Sequence, residues 1–409
     1  MTTTGAAAAA QPQHPPAGAR QSPRPSAEGA DSPPSHPAGL PALPASAAGR
    51  RERLTITDIE LACVCPPLQA GILSAAAAPD FDRVPKFILK VHTDAGIVGL
   101  GETHRMPGAP HGEAAARLRQ AVAALRGTNI LDLDLRHLRL PVATDAAAFE
   151  VAFYDIVGKA VGWPVWRLLG GLARERVPVH YWCGKNLDTA ELRAVAQRAV
   201  AGGFAGIKMK RSYPLVQALE TFAAVSPELK ITLDLMGSYP GEFLPVARAM
   251  EAVGNLLVIE DPPPRRDALD EYRRLREQLA TPIAMHLYIN EAGVRGMVEA
   301  IGARACSVFN LGAGSMNDFV ARAYLAGELG LQVWHGSAHE LGILDAANVH
   351  ACAAAPSCTY PSDILSYQRV HSLLREPLEI RDSHVRVPTG PGLGVDLDED
   401  AVQRYRVSD

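Results

Sequence analysis

From Val177 onward the chain repeats one unit: a short apolar strand, a helix, and then the next strand. The strands are VPVHYW (177–182), GIKMK (206–210), KITLDLMG (230–237), LLVIEDP (256–262), TPIAMH (281–286), CSVFNLG (306–312) and LQVWHG (331–336). Between them lie stretches whose apolar residues recur at every third or fourth position, the period of an amphipathic helix. Units recurring every ~25–30 residues call for a parallel sheet. Seven or eight of them are expected to close into a (β/α)8 barrel of the TIM type, which makes the fold class α/β. An open doubly wound sheet is the alternative. No G-x-G-x-x-G follows any strand, which disfavours its dinucleotide-binding version.

The chain ahead of the barrel is of another kind. LTITDIELACVC is a β-rich strand, and KFILKVHTDAGIVGLGE (86–102) reads as two strands around a turn at Asp94-Ala95-Gly96. Two helical stretches follow, so a self-contained α+β unit over 52–172 is expected before a barrel over 173–374. Residues 1–51 are rich in Ala, Pro, Ser and Gly and bury too little apolar surface to offset their ordering entropy, so they are expected to form a disordered tail. The tail lacks the apolar core of a signal peptide, and no later run reaches the ~18 apolar residues of a membrane span. The expected location is cytoplasmic, with no membrane contact. A net charge of −4 gives no electrostatic case for a nucleic-acid partner. The six cysteines form neither C-x-x-C nor a zinc-finger spacing, and reduced thiols are expected.

Chemistry in a barrel collects at the C-terminal ends of the strands. Read in order, those ends offer Lys208 and Lys210, Asp234, Glu260 with Asp261, His286, Asn310, and His335. Alternate strand residues share a face, so both lysines of the K-x-K can point into the mouth, where each ammonium would lower the other's pKa. Asp234 and Glu260, on successive strands, can meet at one cation.

At this point the sequence resembles the enolase superfamily, in its mandelate racemase / muconate lactonizing enzyme branch. VHTDAGIVGLGE, EVAFYDIVGKAVGWPVWRLLGG, GIKMK, LDL and VIEDP match the family's motifs in order and spacing. REPLEIRDSHVRVPTGPGLGVDLDEDAVQRY resembles its C-terminal piece, closest to the glucarate-dehydratase-like members. The resemblance spans about residues 54–406 and implies a capping domain built from the N-terminal unit and a returning segment over 375–409. It implies removal of the proton α to the carboxylate of a small acid, in a site holding a divalent metal, Mg²⁺ by family habit. Carried over, Lys210 is the general base, Lys208 neutralises substrate charge, and Asp234 and Glu260 are metal ligands. Family habit also implies a homo-oligomer.

Three positions depart from the family pattern. The third metal ligand, a carboxylate or Asn elsewhere, is here His286. It either completes the site, admitting Mn²⁺, Fe²⁺ or Zn²⁺, or hydrogen-bonds in the barrel mouth without a metal. Met236 stands where Asn is frequent. Ser307 takes the place of an Asp that orients a strand-seven histidine, which disfavours a two-base racemase. The expected reaction is therefore loss of water from an acid sugar or related hydroxy acid, with His335 or His339 as proton donor. Racemisation, cycloisomerisation and a non-catalytic binding role are the alternatives. Asp363 is either a late acidic group of the site or a turn-forming residue. Arg83 and Arg105 are candidates to pair with the substrate carboxylate, and Asn310 is a further candidate for substrate binding. His350 is expected to be a packed helix residue.

Overall fold

The structure, a computed structural model, describes residues 53–69, 85–239, 242–263, 265–312 and 314–407. Arg83 falls outside these residues. Strands β1 (Ile56–Val64), β2 (Lys86–Thr93) and β3 (Val98–Glu102) form an antiparallel sheet in sequence order. The β2–β3 hairpin turns at Asp94–Gly96, where Gly96 has the positive φ the turn requires. Helix α1 (Glu113–Leu125) turns Ala115, Leu118, Ala121, Val122 and Leu125 inward, and α2 (Ala146–Val161) covers the same core.

A short helix, α3 (Val165–Leu168), leads to β4 (Arg176–Pro178) and β5 (Tyr181–Cys183). The expected strand over 177–182 is thus split in two. Strand β4 leaves the barrel to pair antiparallel with the C-terminal hairpin, while β5 joins the barrel. From there strand and helix alternate: α4 (Thr189–Ala201), β6 (Gly206–Lys210), α5 (Leu215–Val225), β7 (Lys230–Asp234), α6 (Leu244–Val253), β8 (Leu256–Glu260), α7 (Leu269–Gln278), β9 (Ile283–Met285), α8 (Leu287–Gly302), β10 (Val308–Gly312), α9 (Met316–Glu328), β11 (Gln332–Gly336) and α10 (Gly342–Ala354). Strands β5 to β11 form one parallel sheet of seven in sequence order.

The sheet curls, and its two edges meet through the segment 358–363. Cys358 bridges Val333 of β11, and Ser362 bridges Val179 beside β5. This irregular piece stands in the eighth strand position. The chain then returns through β12 (Ile380–Arg381), β13 (His384–Arg386) and α11 (Glu399–Arg404). Asp155 of α2 ties the return down: its fully buried carboxylate accepts the amides of Leu100 at 2.9 Å and Leu393 at 2.8 Å. Gly392 passes so close that a Cβ would lie 2.1 Å from Asp155 Oδ1, so only glycine fits.

Strand alternation decides which residues face the barrel interior. Val258, Ala284, Val308 and Trp334 form one buried layer inside it. Two residues further along each strand, in the same phase, come Glu260, His286, Asn310 and Gly336.

Candidate active site

Of these, His286, Asn310 and Gly336 open into a cavity of about 210 Å³ at the C-terminal ends of the strands, with Glu260 fully buried behind it. Its walls include Lys208, Lys210, Asp234, His286, Asn310 and Asp363 from the barrel, and Arg105 from the N-terminal unit. Trp182, Lys185, Met236 and the stretch Gly336–His339 also line it, and of these only His339 was among the predicted site residues.

Lys208 is buried between two carboxylates, with its Nζ 3.1 Å from Asp363 Oδ2 and 3.1 Å from Glu260 Oε2. The ring of Trp334 forms a floor beneath it, 5.6 Å from the ammonium. Burial opposes its charge, but Asp363 and Glu260 together outweigh this and hold the proton on well above the ordinary lysine range. The expected lowering of Lys208 by its neighbouring lysine is therefore overturned. Burial likewise opposes the charge of Asp363, yet Lys208 and His180 hold its carboxyl far below the usual carboxylate range. His180, in the turn between β4 and β5, meets Asp363 Oδ1 at 2.5 Å. Asp363 thus belongs to the polar network, not to a simple turn. Sequence reasoning missed His180, although a histidine inside an apolar strand is a signal that a buried partner is needed.

Lys210 is a quarter exposed and lies 2.7 Å from Asp234 Oδ2. Asp234 Oδ1 accepts the backbone N–H of Met236 at 2.8 Å. Met236 takes a positive φ to donate it, a conformation Asn adopts more readily, which accounts for the departure from the family residue being felt in the backbone. Glu260 is paired in register with Asp234. Burial first, and then the Asp234 charge, raise the Glu260 carboxyl, while Asn310 Nδ2 donates to its Oε1 at 2.7 Å.

Two buried, mutually repelling carboxylates suit a hard divalent cation, which is commonly held through one or two such groups. The third position differs. His286 Nδ1 faces the carbonyl of Asn310 at 3.0 Å, and its Nε2 lies 3.2 Å from the Asn290 amide nitrogen. Asp261 fixes the backbone beneath it, accepting the N–H groups of His286 and Leu287 and the hydroxyl of Tyr272. Among the described residues no three His, Cys, Asp or Glu side chains stand close enough to grip an ion together. The donor set as arranged is the carboxylate pair Asp234 and Glu260.

His335 does not reach this cavity. Trp334 and Gly336 face the barrel interior, so His335 falls in the opposite phase and packs on Phe319 of α9, with ring centroids 4.8 Å apart. Both ring nitrogens lack partners among the described residues, and burial pushes the imidazole down to about 4. His339 does line the cavity, edge-on to Trp182 at 4.6 Å, with burial pushing it down to about 3. It does not cap α10. Glu340 instead accepts from Ser337 and from the Ala338 amide at 2.8 Å. Ser307 lies before β10, at the end away from the mouth, and meets Arg276 Nε at 3.2 Å. The residue of β10 that does face the mouth is Asn310. His350 is a packed helix residue, placed between the Trp166 amide and the Leu393 carbonyl.

The family model for the mandelate racemase / muconate lactonizing enzyme N-terminal domain matches residues 80–170, and the model described as enolase C-terminal domain-like matches residues 191–401. The chain belongs to the enolase superfamily, in the mandelate racemase / muconate lactonizing enzyme branch. An N-succinylamino acid racemase of Thermus thermophilus is 30% identical over 70% of this chain and 74% of its own length. A chloromuconate cycloisomerase of Cupriavidus pinatubonensis is 28% identical over 78% of this chain and 90% of its own. Other relatives in this branch include a D-galactarolactone cycloisomerase and a D-gluconate dehydratase. Among solved structures, an enolase from Thermobispora bispora complexed with magnesium and formate superposes with a TM-score of 0.67 at 26% identity, over 86% of this chain and 92% of that one. The relatives include racemases, cycloisomerases, o-succinylbenzoate synthases and a dehydratase, so the comparisons support enolase-superfamily catalysis without singling out the dehydratases.

Proposed function

We propose that this enzyme removes the proton α to the carboxylate of a small organic acid, with Lys210 as the base, and returns it in an isomerisation. What carries this reading is the pair Lys208 and Lys210 on one face of β6, at a cavity shared with Asp234 and Asp363. Lys208, kept charged by Asp363 and Glu260, is suited to holding the substrate carboxylate and the negative charge that grows on it. Lys210 has freedom at the cavity wall to reach a carbon, and Asp234 is the group that receives its charge. Asp234 and Glu260 would hold a divalent ion, which when bound supplies further positive charge toward the enolate. Trp182, Met236 and Ala338 line the same cavity and keep water from the reacting carbon.

Isomerisation is favoured over loss of water because the strand-seven donor His335 faces the helices. Dehydration remains the second reading, on the single observation that His339 lines the cavity. The test is incubation in D₂O with N-succinylamino acids, muconates and sugar acids, followed by NMR. Deuterium at the α-carbon without formation of a 2-oxo acid is the expected result, and Lys210→Ala should slow it by about 10²–10⁴-fold. A 2-oxo acid as the main product would favour dehydration. Full exchange in Lys210→Ala would remove Lys210 as the base.

A further inference from the structure

Lys210 stands on β6, the second of eight positions in a ring that the segment 358–363 closes. The position across the ring from β6 is the sixth, β10. A second cavity, of about 450 Å³, opens there, at Gly312 of β10 and Gly336 of β11. Its wall shares His286 and the stretch Gly336–Ala338 with the first cavity. His104 lines this second cavity from the N-terminal unit, and the next residue, Arg105, lines the first. One carboxylate holds His104 at two points. Asp145 Oδ2 accepts its backbone N–H at 2.6 Å and lies 3.0 Å from ring Nδ1. Burial opposes the Asp145 charge, but His104 outweighs it and keeps the carboxyl below its ordinary range. An ionised carboxylate only accepts, so Nδ1 carries a proton and Nε2 is the nitrogen left to exchange one. A carboxylate that orients an imidazole and stabilises its charge in this way suits it to acid/base work.

We propose that His104 is the second acid/base group of the site, acting on the substrate face turned away from Lys210. This rests on the proton-abstraction reading, in which Lys210 takes the α-proton and the electron pair of the broken C–H bond spreads into the enolate. The His104 imidazolium then gives its Nε2 proton to the α-carbon. The enolate pair forms the new C–H bond, and the ring is left neutral with Nδ1–H still on Asp145. The acid leaves inverted. In the reverse direction neutral His104 is the base and charged Lys210 the donor. His339 fills this role less well. Burial pushes it down to about 3, so near neutral pH its imidazolium is scarcely populated. Burial opposes the His104 charge too, but Asp145 outweighs it, Glu340 supports the charge and Lys86 opposes it, and the imidazole ends above its ordinary range.

The test follows N-succinyl-L-phenylalanine and its D antipode separately in D₂O with the full chain, reading α-deuterium by NMR and inversion by chiral chromatography. Wild type is expected to exchange and interconvert both. His104→Gln should slow interconversion by about 10²–10⁴-fold, while the antipode that faces Lys210 still exchanges at close to the wild-type rate. Asp145→Asn acts through His104. It should slow interconversion less, and move the fall of that rate at high pH to lower pH, because the imidazolium loses its counter-charge. A His104→Gln enzyme that interconverts the antipodes within about tenfold of wild type overturns the proposal. So does one that loses exchange at both antipodes equally, which would make His104 a structural residue. Failure of the underlying reading is seen separately. Exchange at both antipodes in Lys210→Ala removes Lys210 as the base and leaves His104 in place, and a wild type that exchanges neither antipode overturns both.

Discussion

At the scale of single residues, His335 and His339, four residues apart, show how placement decides a role: the first lies within β11 and packs on α9, the second follows the strand and lines the cavity. His335 is buried with neither ring nitrogen bonded among the described residues, which costs stability that an apolar ring of similar shape would not. His335→Phe is expected to leave turnover within about twofold and to raise stability by about 1 kcal/mol, read from urea unfolding at pH 7. A loss of turnover beyond tenfold with the fold intact would return His335 to the chemistry. The K-x-K, Asp234 and Glu260 were legible because strand alternation and the order of strand ends constrain them directly. The same alternation, carried through β11, separates His335 from the mouth, since Trp334 is bulky enough to fill the interior layer and takes that phase. His180 and Lys185 were not legible. Nothing local marks them, because the partner of the first lies 183 residues away and the second reaches the cavity from the segment after β5.

At the scale of elements, the loop that carries His339 is held from the N-terminal unit. Glu102, at the end of β3, is fully buried and accepts the amides of Leu341 at 2.6 Å and Leu344 at 3.0 Å. It is also 2.9 Å from the buried ammonium of Lys86. A carboxylate from one unit thus satisfies the open amides at the start of α10, for which the helix has no side-chain cap of its own. Glu102→Gln leaves Lys86 charged and unpaired, and should cost about 3 kcal/mol in denaturant unfolding. It should also weaken substrate binding, because residues 336–339 form one wall of the cavity. The glycine-acid turn of VHTDAGIVGLGE was readable as a hairpin. Its acid could not be assigned from sequence, since the amides it serves come 239 and 242 residues later.

At the scale of the whole molecule, burial of neutral histidines sets a pH dependence. His335 and His350 are pushed down to about 4 and His339 to about 3, each first by burial. In the unfolded chain they titrate near the ordinary value of ~6.5. Between those limits the unfolded state binds more protons, so stability rises with pH there and is lost as pH falls from about 6.5 toward 4. Melting temperatures should fall steeply over that window, and His335→Phe should flatten the slope by roughly one proton. An unchanged slope in that variant would mean that His335 does not titrate as its burial requires.

The segment 358–363 takes the eighth position of the barrel and also carries Asp363, the anchor of Lys208. Closure of the ring and charge balance in its mouth are therefore one and the same property. A local breathing motion that lifted this segment would take Asp363 away from Lys208, leave it Glu260 alone, and under the proposed function silence turnover while every helix stayed intact. Activity is thus a more sensitive thermometer of this protein than its secondary structure, and heat or denaturant should switch it off before circular dichroism registers any change.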